Sequence, residues 1–381
     1  MSKKRELGIY VHIPFCIKKC NYCDFLSAPA TKQVQKYYVD GLTEQIKQYK
    51  NLIREYEVRT IFFGGGTPSV LEIKELERII EQLEEFINDE QEITIEANPG
   101  TLTKEKLMFY KKSGFNRLSI GLQSANEKEL KLLGRIHTYE DFLQNYIDAR
   151  ESGFENINID LMSALPGQTK DTYEESLKKV LMLDPEHISA YSLIIEEGTK
   201  FYDWYYGRED LLPDEDTERE MYYFTKKYLK EKGYQRYEIS NYAKQGFESR
   251  HNLSYWSGTD YLGLGLGASS LIKGTRFQME SDLETFCQGA LQGKNLERDK
   301  IELTKREQME EFMFLGLRKM EGIEEREFSS QFQVELEEIY GAVLEKLIDE
   351  GLIKKRQNRV LLTEYGIDVS NVVLSEFLLS E

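Results

Sequence analysis

The sequence predicts an α/β protein built on parallel strands with a helical module after it, and three observations carry that reading. Short β-rich runs alternate with helical segments through the N-terminal half, each strand run ends in a chemically functional residue, and the last part of the chain turns to helices and a hairpin. At 381 residues and 40% hydrophobic composition, one large domain with smaller attachments is expected.

The β-rich runs are Leu7–His12, Thr60–Phe63, Glu92–Glu96, Arg117–Ile120, Asn156–Asp160 and His187–Ile195, each rich in branched or aromatic residues. Helical period marks Val34–Tyr49, Ile73–Phe86, Lys104–Lys112, Asp141–Glu151 and Tyr173–Leu183 between them. Repeated β-then-α units imply parallel strands with right-handed crossovers, which both a doubly wound sheet and a barrel satisfy. The strand ends favour the barrel. Ile61-Phe62-Phe63 runs into Gly64-Gly65-Gly66-Thr67-Pro68, Ile95 into Glu96, Ile120 into Gly121-Leu122-Gln123, and Ile159 into Asp160. Polar groups at the C-terminal ends of parallel strands converge on one face, where barrel enzymes build their sites.

Three of the four cysteines, Cys16, Cys20 and Cys23, fall in the stretch after the first strand, and Cys287 stands alone. A buried amphipathic helix is a poor account of them, because Pro14 and Asn21 disfavour one. A Cys3His zinc site with His12 and an iron–sulfur cluster remain. Three thiolates leave one iron of a cubane without a protein ligand, open to a substrate or cofactor. The glycines after the second strand let backbone come close to a ligand, and the absence of Gly-Lys-Ser/Thr excludes a P-loop.

Cys-x3-Cys-x2-Cys with Tyr22 before its third cysteine resembles the signature of the radical S-adenosylmethionine (radical SAM) proteins. That resemblance implies a partial (β/α)6 TIM-like barrel, a 4Fe-4S cluster on Cys16, Cys20 and Cys23, and SAM on the open iron as the source of a deoxyadenosyl radical. YVHIPFC, FFGGGTP, EANPG, GLQS, NIDLMSALPGQT, HNLSYW and GLGLGA follow the order of the HemN/HemW superfamily, over nearly the whole chain. By the same resemblance Tyr10, Tyr22, Gly65, Gly66, Thr67, Glu96, Gln123, Arg135 and Asp160 line the SAM pocket. Glu96 and Asp160 suit ribose hydroxyls or the ammonium, and Arg135 suits the carboxylate. Asp24-Phe25 stands where the decarboxylase of the superfamily, which acts on coproporphyrinogen III, has a further cysteine two places after the third. A start only fifteen residues before Cys16 lacks that enzyme's N-terminal extension. Both departures resemble the HemW branch, regarded as haem chaperones for respiratory enzymes and without decarboxylase activity. The resemblance thus implies haem as a third cofactor and haem-accepting respiratory proteins as partners, with peripheral association with membrane partners and a homodimer left open.

Downstream, His251 beside Tyr255 and Trp256 reads either as a haem-iron ligand against an aromatic wall or as a hydrogen-bonded core histidine. Gly263-Leu-Gly265-Leu-Gly267 lacks dinucleotide-binding spacing and reads as close backbone packing. His137 and His187 read as structural, and Cys287 as a small buried hydrophobe. Helical period at Glu307–Met320 and Leu336–Asp349, then a hairpin turning at Gln357-Asn358, suggest a winged-helix-like module docked on the barrel. The expected divisions are 1–200 for the barrel, 201–300 for an α/β extension and 301–381 for the C-terminal module. A net charge of −17 leaves no electrostatic footprint for nucleic acid. With no apolar run of membrane-spanning length and no signal-peptide core, the expected location is the cytoplasm.

Overall fold

The computed structural model describes residues 4–379. Six parallel strands form its centre in chain order: β1 (Glu6–Ile13), β2 (Glu57–Gly65), β3 (Glu92–Ala97), β4 (Arg117–Gln123), β5 (Ile157–Ser163) and β6 (His187–Ser192). Every neighbouring pair is parallel. Helices fill the crossovers: α1 (Lys32–Ile53), α2 (Ile73–Leu83), α3 (Lys104–Lys112), then α4 (Glu127–Leu133) and α5 (Tyr139–Glu151) together, and α6 (Lys170–Leu181). The expected helices are all present; α4, a seven-residue helix capped by Asn126 and ended by Gly134 in the left-handed region, has no counterpart among them.

The sheet does not close on itself. It continues to twelve strands through β7 (Gln235–Arg236) and β8 (Asn241–Ala243) beyond β6, and through β9 (Tyr261–Leu264), β10 (Ser269–Ile272), β11 (Thr275–Met279) and β12 (Glu297–Glu302) beyond β1. The first of the GLGLGA glycines therefore belongs to a strand, β9, parallel to β1. Close packing still explains these glycines, since a Cβ on Gly265, at φ 100°, would meet the Tyr38 hydroxyl and lie 2.8 Å from the His12 carbonyl oxygen.

One side of the sheet packs under the helices. Leu7, Ile9, Val11 and Ile13 of β1 are fully buried, as are Tyr38, Val39, Leu42 and Ile46 of α1. Burial of such side chains contributes about 1.5–3 kcal/mol each. The alternate residues, Tyr10, His12, Phe62, Glu96, Ser119, Asp160 and Tyr191, face the concave side. Pairing of Ile13 with Gly65, Glu96 with Ser119 and Gly121 with Asp160 keeps the functional strand ends at one rim.

Helix α7 (Lys200–Tyr205) flanks that rim, and α8 (Glu215–Glu231) packs on α6. At the opposite end α9 (Arg250–Trp256) closes the floor, its Ser249 cap and first amides tied to Glu92. Cys287, on α10 (Leu283–Leu291), is fully buried against Gly41.

A separate core, running from Met309 to Phe377, holds the C-terminal module. It consists of α11 (Lys305–Gly316), β13 (Ile323–Glu324), α12 (Glu325–Phe332), α13 (Leu336–Asp349), the hairpin β14 (Ile353–Arg356) and β15 (Arg359–Leu362), then α14 (Glu364–Asp368) and α15 (Ser370–Ser375). The hairpin turns at Gln357 and Asn358, both at positive φ as a two-residue turn requires. The module docks through Arg276–Glu311, Lys226–Glu364 and Tyr223–Asp368, and through the Arg318 guanidinium, which lies 4.4 Å from the Trp256 ring centre.

Candidate functional site

The loop between β1 and α1 carries the three cysteines, and it is not a helix. Phe15-Cys16 pairs in a short parallel bridge with Ala28-Pro29, and Cys20–Cys23 forms a turn. Asn21 clamps the turn: its amides donate to Leu133 O at 2.9 Å and Leu132 O at 2.8 Å, and its carbonyl accepts from Phe201 at 2.9 Å. Tyr22 packs against Phe201, inside the small core of Leu133, Met162 and Leu165. All three thiols are partly exposed at the rim. Burial pushes the Cys23 thiol up, and the proximity of Cys20 and Cys16 adds to the shift.

Two groups donate toward the sulfurs. Arg135 Nη1 lies 3.5 Å from Cys20 Sγ, and the Thr67 hydroxyl 3.6 Å from Cys16 Sγ. Asn98 joins them, donating to Thr67 Oγ1 at 2.7 Å and accepting from Arg135 at 2.5 Å. Negative charge on the thiolates is thus met by a guanidinium and hydroxyl already held in place.

The glycine turn is braced against the same loop. Gly66 and Thr67 amides donate to Ile13 O and Phe15 O at 2.9 and 2.7 Å, and Gly65 N to Glu96 Oε2 at 3.2 Å. A Cβ on Gly66 would stand 2.7 Å from Phe15 O and 2.9 Å from Ile13 O. These glycines therefore serve first to let the turn lie flat on the cysteine loop.

Two carboxylates face each other across the concave side. Burial, then the nearby Asp160, pushes the Glu96 carboxyl up to about 7. Burial also raises Asp160, against the hydrogen bond it accepts from Asn158 at 2.7 Å. A bulge between Gly121 and Gln123 turns Gln123 to φ 71° and aims its side chain inward, where Oε1 accepts from the Tyr191 hydroxyl at 2.9 Å. Tyr10 stacks on Phe62, with its hydroxyl 3.0 Å from His12 Nδ1.

The structure thus gathers Tyr10, Tyr22, Gly65, Gly66, Thr67, Glu96, Gln123, Arg135, Asp160 and the three cysteines at one rim, and leaves His251 elsewhere. His251 lies at the floor, 2% exposed, stacked on Phe62 at 5.0 Å, with Nδ1 2.7 Å from Thr60 Oγ1 and Nε2 3.1 Å from the Tyr255 hydroxyl. Both ring nitrogens are engaged within the core in this conformation, as the second of its two readings expects, so the nitrogen that would ligate iron has no free lone pair here. His187 is likewise a core group, between Asn158 and Tyr237. Asn21, Asn98 and Tyr191 complete the site without having been expected in it. Asn98 sat within the EANPG motif, but its partners lie far away in sequence.

The residues fit a cluster better than a single ion. His12 engages Tyr10 and Leu26 O with its two nitrogens, so it is not poised as a fourth zinc ligand. Among the described residues no three His, Cys, Asp or Glu side chains converge as they would around one ion. In a cubane each thiolate takes its own iron, so wider spacing is required. Buried carboxylates bonded to Gly65 and Asn158, and orphaned nitrogens on Arg135 and His137, fit a ligand that is cationic at one point and anionic at another.

A parallel half-barrel with three cysteines after its first strand and a glycine turn after its second is the frame of a radical SAM protein. The sequence matches the radical SAM superfamily over residues 10–180 and the HemN C-terminal domain over 303–369. It is 38% identical to "Heme chaperone HemW" of Bacillus subtilis over 97% of this chain and 98% of that protein. It is 34% identical to that of Escherichia coli over 99% and 100%. The solved coproporphyrinogen III oxidase (HemN) of Escherichia coli, described as a radical SAM enzyme, superposes with a TM-score of 0.87 at 26% identity, covering 98% of this chain and 90% of that one. The chain belongs to the HemW family.

Proposed function

We propose that the protein is a haem chaperone that holds a 4Fe-4S cluster and SAM at the barrel rim, binds haem, and passes it to respiratory haem proteins. The observation that carries this reading is identity along the full length with relatives named as haem chaperones. When bound to Cys16, Cys20 and Cys23, the cluster supplies one-electron chemistry at an open iron. Arg135 and Thr67 steady the thiolates. Glu96 and Asp160 receive the cationic part of SAM, Gln123 and Tyr10 line its flanks, and the glycine turn fixes the distance to the cysteine loop. The expected setting is the cytoplasm; among the described residues no helix is long and apolar enough to cross a membrane.

Coproporphyrinogen decarboxylation is not part of the proposal. Phe25 stands 63% exposed on the cysteine loop, where the decarboxylase has another cysteine. Haem ligation by His251 would require its ring to give up Thr60 or Tyr255. The test is anaerobic incubation of reconstituted, reduced protein with SAM and coproporphyrinogen III, beside a haem titration of wild type and His251→Ala. Haem binding without protoporphyrinogen formation supports the chaperone; multiple turnovers replace it with the enzyme. An unchanged haem spectrum in the variant removes His251 from the site.

A further inference from the structure

Arg117, the first residue of β4, is 2% exposed and faces the inside of the barrel. Ser119 and Glu96 pair with each other on the concave side, so Arg117 and its partner Thr94, two residues earlier on each strand, face that side one step nearer the floor. On the other flank Asn156 precedes Ile157, the partner of Leu118. Arg117 Nε, Thr94 Oγ1 and Asn156 Oδ1 are each buried without a hydrogen-bond partner. Among the described residues no carboxylate lies within 4.0 Å of the guanidinium. A buried cation is costly unless negative charge compensates it, and neither of these neighbours is charged.

The negative charge within longer reach belongs to the site. Glu92 and Glu96 flank Thr94 on β3, and Asp160 lies beyond Asn156 on β5. Glu92 is already met by the first amides of α9. Burial and then Asp160 raise Glu96, burial raises Asp160, and Arg117 opposes both shifts. Tyr10 of β1 and Tyr191 of β6 also face Glu96, and Tyr22 and Arg135 face Asp160. Burial raises all three tyrosines, so they stay neutral. Burial, then Arg117, lowers His187 and His251, so neither imidazole supplies a second cation. Arg117 is thus the cation facing Glu96, and it shares Asp160 with Arg135.

We infer that Arg117 is a positioning residue for SAM binding: its unpaired charge inside the barrel keeps Glu96 and Asp160 negative, ready for the cationic part of the ligand. This rests on the proposal that the rim binds SAM. Arg117 itself stays below the rim and acts through the two carboxylates.

The experiment measures SAM dissociation constants of reconstituted full-length protein from pH 6 to pH 9 for wild type, Arg117→Met, Arg117→Gln and Arg117→Lys. A unit charge beyond hydrogen-bond reach in this interior is worth about one pH unit to a carboxyl. In the Met and Gln variants the pH below which affinity falls should therefore rise by about one unit, weakening SAM about fivefold at pH 7 and less than about twofold at pH 9. Arg117→Lys should keep the wild-type profile. A readout without ligand is the gap in urea stability between each protein and its Glu96→Gln counterpart. That gap should open above 4.5 and level off at about 7 in wild type, and about one unit higher in the Met and Gln variants. Iron content and thermal midpoint report whether each variant is folded and loaded, and either neutral variant suffices if the other fails to fold. Profiles unshifted from wild type overturn the inference. Equal loss of affinity at every pH, the mark of a packing role, also overturns it. Wild type that does not bind SAM refutes the SAM reading itself, whereas the stability profiles judge the hold of Arg117 on Glu96 apart from it.

Discussion

Glu96 gives a prediction whose sign and size follow from its surroundings. Its carboxyl is raised from an ordinary 4.5 to about 7, chiefly by burial and then by Asp160. A raised carboxyl favours the protonated folded form, so its contribution to stability is full below 4.5 and lost as pH rises through 7. At 1.36 kcal/mol per unit the ceiling is about 3 kcal/mol, and partial opening to the rim reduces it to about 1–3 kcal/mol. Glu96→Gln keeps an acceptor for Gly65 N and removes the titration. The variant without ligand should therefore be more stable than wild type at pH 8 by that amount and nearly equal to it at pH 5 in urea denaturation. Binding of a cation requires the ionised form, so the wild-type dissociation constant for SAM should rise about tenfold from pH 8 to pH 6 through this one proton. In Glu96→Gln affinity should be lower at pH 8 and nearly flat with pH. Parallel pH profiles for the two proteins, in stability and in binding, would refute the assignment of the buried charge to Glu96.

Alanine at Cys16, Cys20 or Cys23 should abolish iron retention after anaerobic reconstitution, whereas Cys287→Ala should keep it; iron analysis decides, and equal loss at Cys287 would be contrary. Gly66→Val should lose cluster as well as SAM, because its side chain meets the Ile13 and Phe15 backbone; a variant that keeps iron and loses only SAM would mean the turn acts on the ligand alone. His251→Ala should cost about 2–4 kcal/mol without haem present, from two lost hydrogen bonds and the stacking on Phe62. Unfolding of that variant at the wild-type denaturant concentration would contradict the role of α9 as floor of the barrel.

The central sheet was legible because period and strand ends are local properties. Ile61-Phe62-Phe63 before three glycines, and Ile159 before Asp160, place a polar group at a strand terminus wherever the strand ends up. The cysteine loop was legible for the same reason, and the Gln357-Asn358 turn declared itself through residues that tolerate positive φ. What stayed hidden depends on tertiary pairing. Nothing in the spacing of Tyr261–Leu264 says that it runs parallel to β1, and nothing near Asn98 names Thr67 and Arg135 as its partners. Asn21 was read only as a helix-disfavouring residue, yet its hydrogen bonds to Leu132, Leu133 and Phe201 fix the cluster loop. His251 sits among aromatics that suggest a haem wall but finds its partners in Thr60 and Tyr255, while His137 in an unremarkable turn faces the cavity beside Cys20.

The chaperone reading is tested most directly by haem transfer. Haem-loaded, cluster-reconstituted protein is mixed with the haem-free form of a respiratory haem protein, and the absorbance of the acceptor is followed against the same amount of free haem. The account predicts stoichiometric appearance of the acceptor's haem spectrum as the donor's declines, with the haem kept from a competing apo-globin in the interval. Failure of the protein to bind haem, or loss of its haem to the globin as readily as to the respiratory acceptor, would contradict it.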